Sequence, residues 1–177
     1  MKYIFSFLTL ALIMVSFNAC RKENDINIWR DANINAYIEI TKNPAFRELK
    51  TGTGPTGVYY KVIKSGTGAE YPLQTSVVKV FYKLSYYDGI VFDIGSYKND
   101  IPIDILLSGS MYGSFIPRGL SFALQQMVVG DKWEIWVPYH LGYGYIGLQD
   151  PTSYQLLIKG YSTLVYEVEL LNIKQYP

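Results

Sequence analysis

From Val58 onward the chain alternates between apolar and polar positions with a period of two. Successive side chains of a strand point to opposite faces of a sheet, so this alternation predicts strands that bury one face. The pattern is clearest in five segments: VYYKVIKSG (58–66), SVVKVFYKLSYY (76–87), PIDILLSG (102–109), KWEIWVP (132–138) and STLVYEVELLNIK (162–174). The Asp88-Gly89 pair predicts a tight turn that folds residues 76–95 into a hairpin-like pair.

Two other segments have a helical period. In INIWRDANINAYIEITKNP, Asn24 or Asp25 is placed to cap the start of a helix and Pro44 to end it. The apolar positions of this helix are Ile28, Trp29, Ala32, Ala36, Tyr37 and Ile40. RGLSFALQQMVVGDK (118–132) predicts a second, short helix that stops before Gly130. Its apolar face consists of Leu120, Ala123, Leu124 and Met127. The fold class predicted is α+β: an antiparallel sheet of five to six strands wrapped around one short helix, with an N-terminal helix appended.

The first nineteen residues have the pattern of a secretory signal peptide. One Lys is followed by an apolar run to Phe17, which is too short to span a hydrocarbon core of roughly 30 Å. The segment SFNAC resembles a bacterial lipobox, in which the cysteine carries acyl chains, although Phe17 and Asn18 depart from the common residues. The alternative is ordinary secretory cleavage, with Cys20 an incidental thiol. The predicted organisation is a signal peptide at 1–19, a lipidated N terminus, helix and linker at 20–57, and a main domain at 58–177. KTGTGPTG (50–57) is interpreted as the linker.

Composition argues against several classes of function. Sixteen Lys and Arg against fifteen Asp and Glu give a net charge of +1, which offers no basic field for nucleic acid. A single cysteine allows no internal disulfide and no cysteine-based metal site, and no other ligand spacing predicts a metal. A catalytic triad would need His140, the one histidine, yet the chain has no G-x-S-x-G elbow. The carboxylate pairs Asp88/Asp93 and Glu167/Glu169 are explained by turns and strands.

Three glycines, Gly142, Gly144 and Gly147, have the G-x-G-x-x-G spacing of a dinucleotide-binding loop. That loop leaves a strand and opens a helix, with an acidic residue about twenty positions on. Here the next residues are LQDPTSYQ, which contain a proline and show no helical period. We therefore expect these glycines to shape a turn beside Tyr143 without binding a phosphate.

Five motifs, in this order, resemble those of the FKBP-type peptidyl-prolyl isomerases. They are VIKSGTG, VKVFYKLSYYDGIVFD, FIPRGLSFALQQMVVGDKWEIWVP, PYHLGYG and TLVYEVELLNI, and together they extend from about Val58 to Lys174. The resemblance implies an FKBP-like sheet and an enzyme that rotates X-Pro bonds without a cofactor or metal. It implies proline-containing polypeptide clients and, with the N-terminal pattern, a lipid-anchored protein of the cell envelope. The alternative is a polypeptide-binding module on the same fold without catalysis, and the N-terminal helix is a possible dimer contact.

The resemblance also implies a set of site residues. As catalytic residues it implies Tyr82, Phe92, Asp93, Ile116, Tyr143 and Tyr166; as substrate-binding residues, Ile103, Phe115, Leu120, Leu157 and Ile158. In this scheme the Tyr143 hydroxyl and the Ile116 amide donate hydrogen bonds to the substrate. Without the motifs, the aromatic residues in strands are more simply core residues, and Asp93 a loop cap.

The chain departs from the family pattern at several of these positions. Leu120 replaces the tryptophan that usually forms the base of the pocket, and Ile103 replaces an aromatic wall. No arginine pairs with Asp93, where Lys98 is an imperfect substitute. FIPRG has one residue more than the family's V-I-P-G, so Pro117, which lacks an N–H, competes with Ile116 for the donor position. LQDPTSYQLLIKGYS is longer than the usual rim loop, and Leu157 or Ile158 is predicted to close the pocket.

Overall fold

The structure is a computed structural model that describes residues 24–93, 101–108 and 116–175. Cys20, Lys98, Phe115 and the predicted signal peptide lie outside these residues, as does the side chain of Asp93. Helix α1 (24–42) confirms the predicted N-terminal helix, although both residues predicted to cap it, Asn24 and Asp25, are themselves helical. The chain divides into two compact units, with residues up to 32 in the first and residues from 33 in the second. No helix in the described part of the chain is both long and apolar enough to cross a membrane.

A seven-stranded antiparallel sheet dominates the second unit. The nine described strands are β1 (Arg47–Thr51), β2 (Gly54–Lys64), β3 (Val77–Tyr86), β4 (Val91–Asp93), β5 (Ile103–Leu106), β6 (Lys132–Val137), β7 (Gly147–Gln149), β8 (Leu156–Lys159) and β9 (Leu164–Lys174). The sheet runs β1-β2-β6-β9-β3-β4, while β5 pairs with the first half of β3. Strands β7 and β8 form a separate two-stranded hairpin.

The five strands predicted from alternation are all present, as β2, β3, β5, β6 and β9. The predicted turn is present too. The Gly89 N–H donates to the Tyr86 carbonyl at 3.0 Å, and Gly89 has a φ of +83°, in the left-handed region that favours glycine. Beyond this turn, β4 pairs back onto β3.

Residues 50–57 do not form the predicted linker. They are the end of β1, a turn and the start of β2, so the sheet has seven strands where five to six were expected. The sequence of this hairpin has no apolar alternation, but bonds between side chains and backbone support the pairing of its strands. The Glu48 carboxylate accepts the Gly57 N–H at 3.0 Å, and the Thr56 hydroxyl donates to the Leu49 carbonyl at 2.8 Å.

Helix α2 (Arg118–Leu124) packs on the inner face of the sheet and is shorter than its apolar period predicted. It ends six residues before Gly130, and Met127 is buried in the turn that follows. Gly119 lets the helix approach the sheet closely: a Cβ there would lie 2.5 Å from Val137 Cγ1 and 3.2 Å from Val58 Cγ2. The closeness of this approach determines where Leu120 lies.

Two buried polar groups hold the ends of these elements. The Asp131 carboxylate accepts N–H bonds from Gly66 and Val128, both at 2.8 Å, and so joins the loop after β2 to the turn before β6. In the second unit, the C-terminal part of α1 contacts the sheet through Asn33, which is fully buried. Its Oδ1 accepts the Thr163 N–H at 2.7 Å, just before β9 begins.

The outer face of β2 and β6 is partly covered by aromatic residues. Tyr37 of α1 donates its hydroxyl to the Gly57 carbonyl at 2.7 Å, and its ring meets the Tyr59 ring edge to face at 5.9 Å. Burial, together with Tyr59 and Glu48, raises the pKa of Tyr37 to about 12. Residues 33–42 of α1 therefore pack on the face of the sheet opposite α2, and the apolar site residues lie on the inner face.

Candidate functional site

The structure brings seven of the eleven predicted site residues onto one core. Those buried within it are Leu120, Ile158 and Tyr166; those packed against it are Tyr82, Phe92, Ile116 and Tyr143. They come from four separate parts of the chain: β3–β4, the start of α2, the loop after β6, and β8–β9. The fold therefore assembles the site from distant segments.

Strands β3 and β9 place two tyrosines on the inner face. Tyr82 stands opposite Val168 and Tyr166 opposite Leu84 in the antiparallel register. Alternation directs both tyrosines inward with Val80 and Leu84, and Tyr166 is almost wholly buried while Tyr82 is half-buried. A tyrosine in this setting offers an apolar ring with one polar tip.

The end of β3 and the short β4 form an aromatic pair. The rings of Tyr86 and Phe92 lie 4.3 Å apart at 31°. Both rings are half-buried and pack against the core. Phe92 was expected in the site, whereas Tyr86 was missed. The sequence pattern could have indicated Tyr86, because it continues the inward alternation Tyr82, Leu84, Tyr86 just before the Asp-Gly turn.

The structure shows where Ile116 and Pro117 lie relative to the start of α2. Pro117 directly precedes the helix, with φ −59° and ψ 141°, and its carbonyl accepts the Ser121 N–H at 3.1 Å. Proline has no N–H, so Pro117 donates nothing to a substrate. Ile116 is half-buried against the core, and Leu120 is buried one turn into the helix. The Ser121 hydroxyl donates to the Leu107 carbonyl at 3.0 Å, which fixes this helix beside the end of β5.

The three glycines after β6 form a loop around Tyr143, and a helix does not follow them. The chain makes a 3-10 turn (Tyr139–Leu141), and the third glycine begins strand β7. The Tyr143 carbonyl accepts the Gly147 N–H at 3.1 Å. Gly147 has a φ of +86°, and a Cβ there would overlap the Ile158 carbonyl. The glycines thus lie in a turn beside Tyr143, as the sequence predicted, and Gly147 in addition allows close approach to the backbone of β8.

The long rim segment is the β7–β8 hairpin. Asp150 organises its turn by accepting N–H bonds from Thr152 at 2.9 Å and Ser153 at 2.7 Å, and these bonds lower the pKa of Asp150. Ile158 is opposite Leu148 and is buried. Leu157 is 48% exposed on the other face of β8. Of the two residues expected to close the pocket, Ile158 therefore belongs to the core and Leu157 faces solvent.

The remaining predicted residues are less enclosed or lie outside the described part. Ile103, at the start of β5, is 36% exposed, so it lies at the edge of the sheet. Asp93 ends β4 opposite Leu84, but its side chain lies outside the described residues, as do Lys98 and Phe115. The interactions expected of Asp93, including a pairing with Lys98, stay predictions.

The charged side chains of the neighbouring strands lie on the opposite face. Glu167 lies between Lys132, at 2.8 Å, and Lys83, at 3.1 Å. Burial raises the pKa of Glu167, but the hydrogen bonds from the two lysines outweigh this effect and the net shift is downward. The described inner face is lined mainly by apolar and aromatic groups with tyrosine hydroxyls. Such a surface suits binding of an apolar ring and hydrogen bonding to a carbonyl.

Comparison with known proteins gives a family match. Residues 68–171 match the family described as FKBP-type peptidyl-prolyl cis-trans isomerase. The chain is 38% identical over 126 residues to the FKBP-type 22 kDa peptidyl-prolyl cis-trans isomerase of Escherichia coli (strain K12), covering 70% of this chain and 54% of that protein. It is 36% identical over 121 residues to the outer membrane protein MIP of Legionella longbeachae, covering 68% and 46%. The chain spans about half the length of the curated relatives it matches.

Solved structures give the same result for the fold. FkpA from Escherichia coli superposes with a TM-score of 0.68 at 26% identity, covering 95% of this chain and 73% of that chain. A peptidyl-prolyl cis-trans isomerase from Pseudomonas syringae pv. tomato superposes with a TM-score of 0.66 at 27% identity, covering 82% and 92%. The predicted α+β class with an N-terminal helix is therefore confirmed.

Proposed function

Because the chain belongs to the FKBP-type peptidyl-prolyl cis-trans isomerase family, we propose that it catalyses the rotation of X-Pro bonds in exported polypeptides. One observation carries the proposal: the family match covers the segment whose predicted site residues converge on one apolar core. The sequence motifs and the packing of the inner face therefore support the same activity.

The chemistry needs no nucleophile. An X-Pro bond is a partial double bond with a rotation barrier of about 18 to 20 kcal/mol. The twisted bond loses its resonance and much of its charge separation, so an apolar site that excludes water favours it over the planar form. Hydrogen-bond donors that hold the substrate carbonyl in the twisted geometry add to this preference.

In this proposal the inner face supplies both the apolar surface and the hydrogen-bond donors that catalysis needs. Tyr82, Tyr166 and Leu120 form the apolar surface for the prolyl ring, and Phe92 forms its edge. The Tyr143 hydroxyl donates to a substrate carbonyl. Since Pro117 has no N–H, the second donor is the Ile116 amide. Replacing tryptophan by Leu120 gives a smaller apolar base, and we expect a modest rate in consequence.

The test is an isomerisation assay on a proline-containing tetrapeptide. We expect Tyr143→Phe to lower kcat/KM roughly two- to tenfold, as the loss of one hydrogen bond does. We expect Phe92→Ala to lower it roughly tenfold or more, because a large apolar contact is lost. Thermal unfolding of each variant separates a lost contact from a lost fold.

Tyr71→Phe is the matched control, because Tyr71 is exposed and outside the site. We expect this variant to keep the wild-type rate. A wild-type protein that binds unfolded chains but gives no rate above the uncatalysed one would refute the enzyme and favour the non-catalytic binding module.

For location we propose lipid anchoring at Cys20 in the bacterial cell envelope. The support is the signal-like pattern of residues 1–19, the single cysteine at its end and a relative named as an outer membrane protein. Several acyl chains on one residue bind a membrane stably, whereas one chain binds only marginally. Labelled fatty acid should be incorporated into the wild-type protein and lost in Cys20→Ser; equal labelling of both would contradict the anchor.

A dimer contact through the N-terminal helix is a further proposal. Residues 33–42 pack on the sheet through Asn33 and Tyr37, so deleting them would perturb the domain itself. The informative truncation removes residues 21–32 alone. Light scattering should show a lower mass for this truncated protein, and an unchanged mass would place any dimer contact elsewhere.

A further inference from the structure

Buried polar groups hold the turn of residues 160–163, between β8 and β9. Ser162 and Thr163 are almost wholly buried, and Asn33 of α1 is fully buried. The Asn33 Oδ1 accepts the Thr163 N–H at 2.7 Å, and the Thr163 hydroxyl donates to the Asn33 carbonyl at 3.2 Å. The Ser162 hydroxyl donates to the Lys159 carbonyl at 2.7 Å. Because a buried polar group that loses its partner is costly, these bonds hold the turn in one conformation.

The same turn contacts the loop that carries Tyr143. The Tyr161 N–H donates to the Gly144 carbonyl at 2.9 Å. Gly160 lies so close to the loop that a Cβ there would overlap the Tyr145 carbonyl oxygen. Tyr161 has a φ of +60°, in the left-handed region that bulky residues rarely adopt. Since a residue keeps such a conformation only where its surroundings impose it, the contacts of the turn fix the backbone at Tyr161.

The bond between Tyr161 and Gly144 joins two parts of the proposed site. The bonds of the loop to itself, such as that from the Gly147 N–H to the Tyr143 carbonyl at 3.1 Å, fix its internal shape. The bond from Tyr161 ties the loop to the residues just before β9, the strand that carries Tyr166. The turn therefore sets where Tyr143, the proposed donor, lies relative to the apolar surface that Tyr166 helps to form.

We propose that Asn33 is a positioning residue for the isomerase reaction: it holds the 160–163 turn, and the turn holds the Tyr143 hydroxyl where it meets the substrate carbonyl. The inference rests on the proposed function and extends it to α1, outside the residues 68–171 that match the family. A displacement of about 1 Å at a reacting group can cost roughly a hundredfold in rate. Loosening the turn should therefore lower the rate while the apolar surface stays intact.

The experiment measures kcat/KM on a proline-containing tetrapeptide and the exchange of the Tyr161 amide hydrogen, both in the full-length protein. Asn33→Leu removes the acceptor of the Thr163 N–H. We expect Tyr161 exchange to become roughly two- to tenfold faster and kcat/KM to fall roughly two- to tenfold, as the loss of one hydrogen bond predicts. Thr163→Val keeps a side chain of similar size and removes only the hydroxyl bond to Asn33. It should change both measurements in the same direction with the packing nearly unchanged.

A double variant separates positioning from a general loss of stability. If Asn33 acts through the Tyr143 hydroxyl, Asn33→Leu should lower kcat/KM much less in Tyr143→Phe than in wild type. Ser76→Ala is the matched control, because the buried Ser76 hydroxyl accepts the Leu73 N–H at 2.9 Å near the opposite end of β9. It should also lose stability, yet keep the wild-type Tyr161 exchange and kcat/KM, because a turn opens locally.

Unchanged Tyr161 exchange in both Asn33→Leu and Thr163→Val would overturn the proposal. Equal falls in kcat/KM with and without the Tyr143 hydroxyl, or an equal effect of Ser76→Ala, would overturn it as well. A wild-type protein without isomerase rate refutes the proposed function alone, because Tyr161 exchange and the affinity of the peptide in the same variants still report whether Asn33 positions the loop.

Discussion

Gly119→Ala tests whether the close approach of α2 to the sheet is required. In a helix, alanine is about 1 kcal/mol more favourable than glycine, so propensity alone predicts a more stable protein. The structure predicts the reverse, because the new Cβ would lie 2.5 Å from Val137 Cγ1. Carbon atoms prefer a separation of roughly 3.5 to 4.0 Å, so the new Cβ would be about 1 to 1.5 Å too close.

The size of the expected destabilisation depends on how far the two neighbouring valines can move. Val137 and Val58 are fully buried in paired strands, and overpacking of such a core costs about 1 to 3 kcal/mol. Taking the upper half of that range, because both neighbours are held by the sheet, and subtracting the propensity gain leaves a net destabilisation of about 1 to 2 kcal/mol. Since Leu120 follows directly, kcat/KM should fall as well.

Urea unfolding of four proteins measures the effect: wild type, Gly119→Ala, Val137→Ala and the double variant. Val137→Ala removes the methyl group that overlaps, and the next contact is then Val58 Cγ2 at 3.2 Å. In that background Gly119→Ala should be neutral or stabilising, which gives a favourable coupling of about 1 to 2 kcal/mol. Gly52→Ala, where a Cβ would meet nothing within 4 Å, is the control. A Gly119→Ala protein more stable than wild type, or zero coupling, would refute the reasoning.

Two further predictions concern polar groups. Asn33→Leu should lower the free energy of unfolding by about 1 to 3 kcal/mol, because the buried Thr163 N–H loses its acceptor. Asn35→Leu is the control, because Asn35 is exposed on the same helix. Equal losses of stability in the two variants would contradict the role of Asn33. Because the pKa of Glu167 is lowered in the folded protein, its ion pairs stabilise the fold at pH values above the ordinary pKa of 4.5. This contribution is lost as the pH falls through the lower pKa of the folded state. Glu167→Gln should therefore remove about 0.5 to 1 kcal/mol near neutral pH and flatten the acid side of the stability profile; a profile parallel to wild type would argue against it.

The sequence predicted the strands in which apolar and polar side chains alternate clearly. Strands β2, β3, β5, β6 and β9 bury one face, and the alternation of their side chains follows from that burial alone. The Asp88-Gly89 turn was predictable because its backbone needs a residue that tolerates positive φ. The order of motifs along these strands was enough to indicate the family and most of the inner-face residues.

Only the tertiary structure decided the features that depend on contacts between distant segments. The hairpin of β1 and β2 looked like a linker because bonds from Glu48 and Thr56 replace an apolar pattern. Leu157 and Ile158 are adjacent and equally apolar, yet pairing in the β7–β8 hairpin buries one and exposes the other. The alternation of β3 indicates that Tyr86 faces inward, but only the tertiary structure shows that its hydroxyl accepts the N–H of Lys159, 73 positions away. Periodicity reports which face of an element is buried, but not which remote group it meets, because that depends on how the whole chain packs.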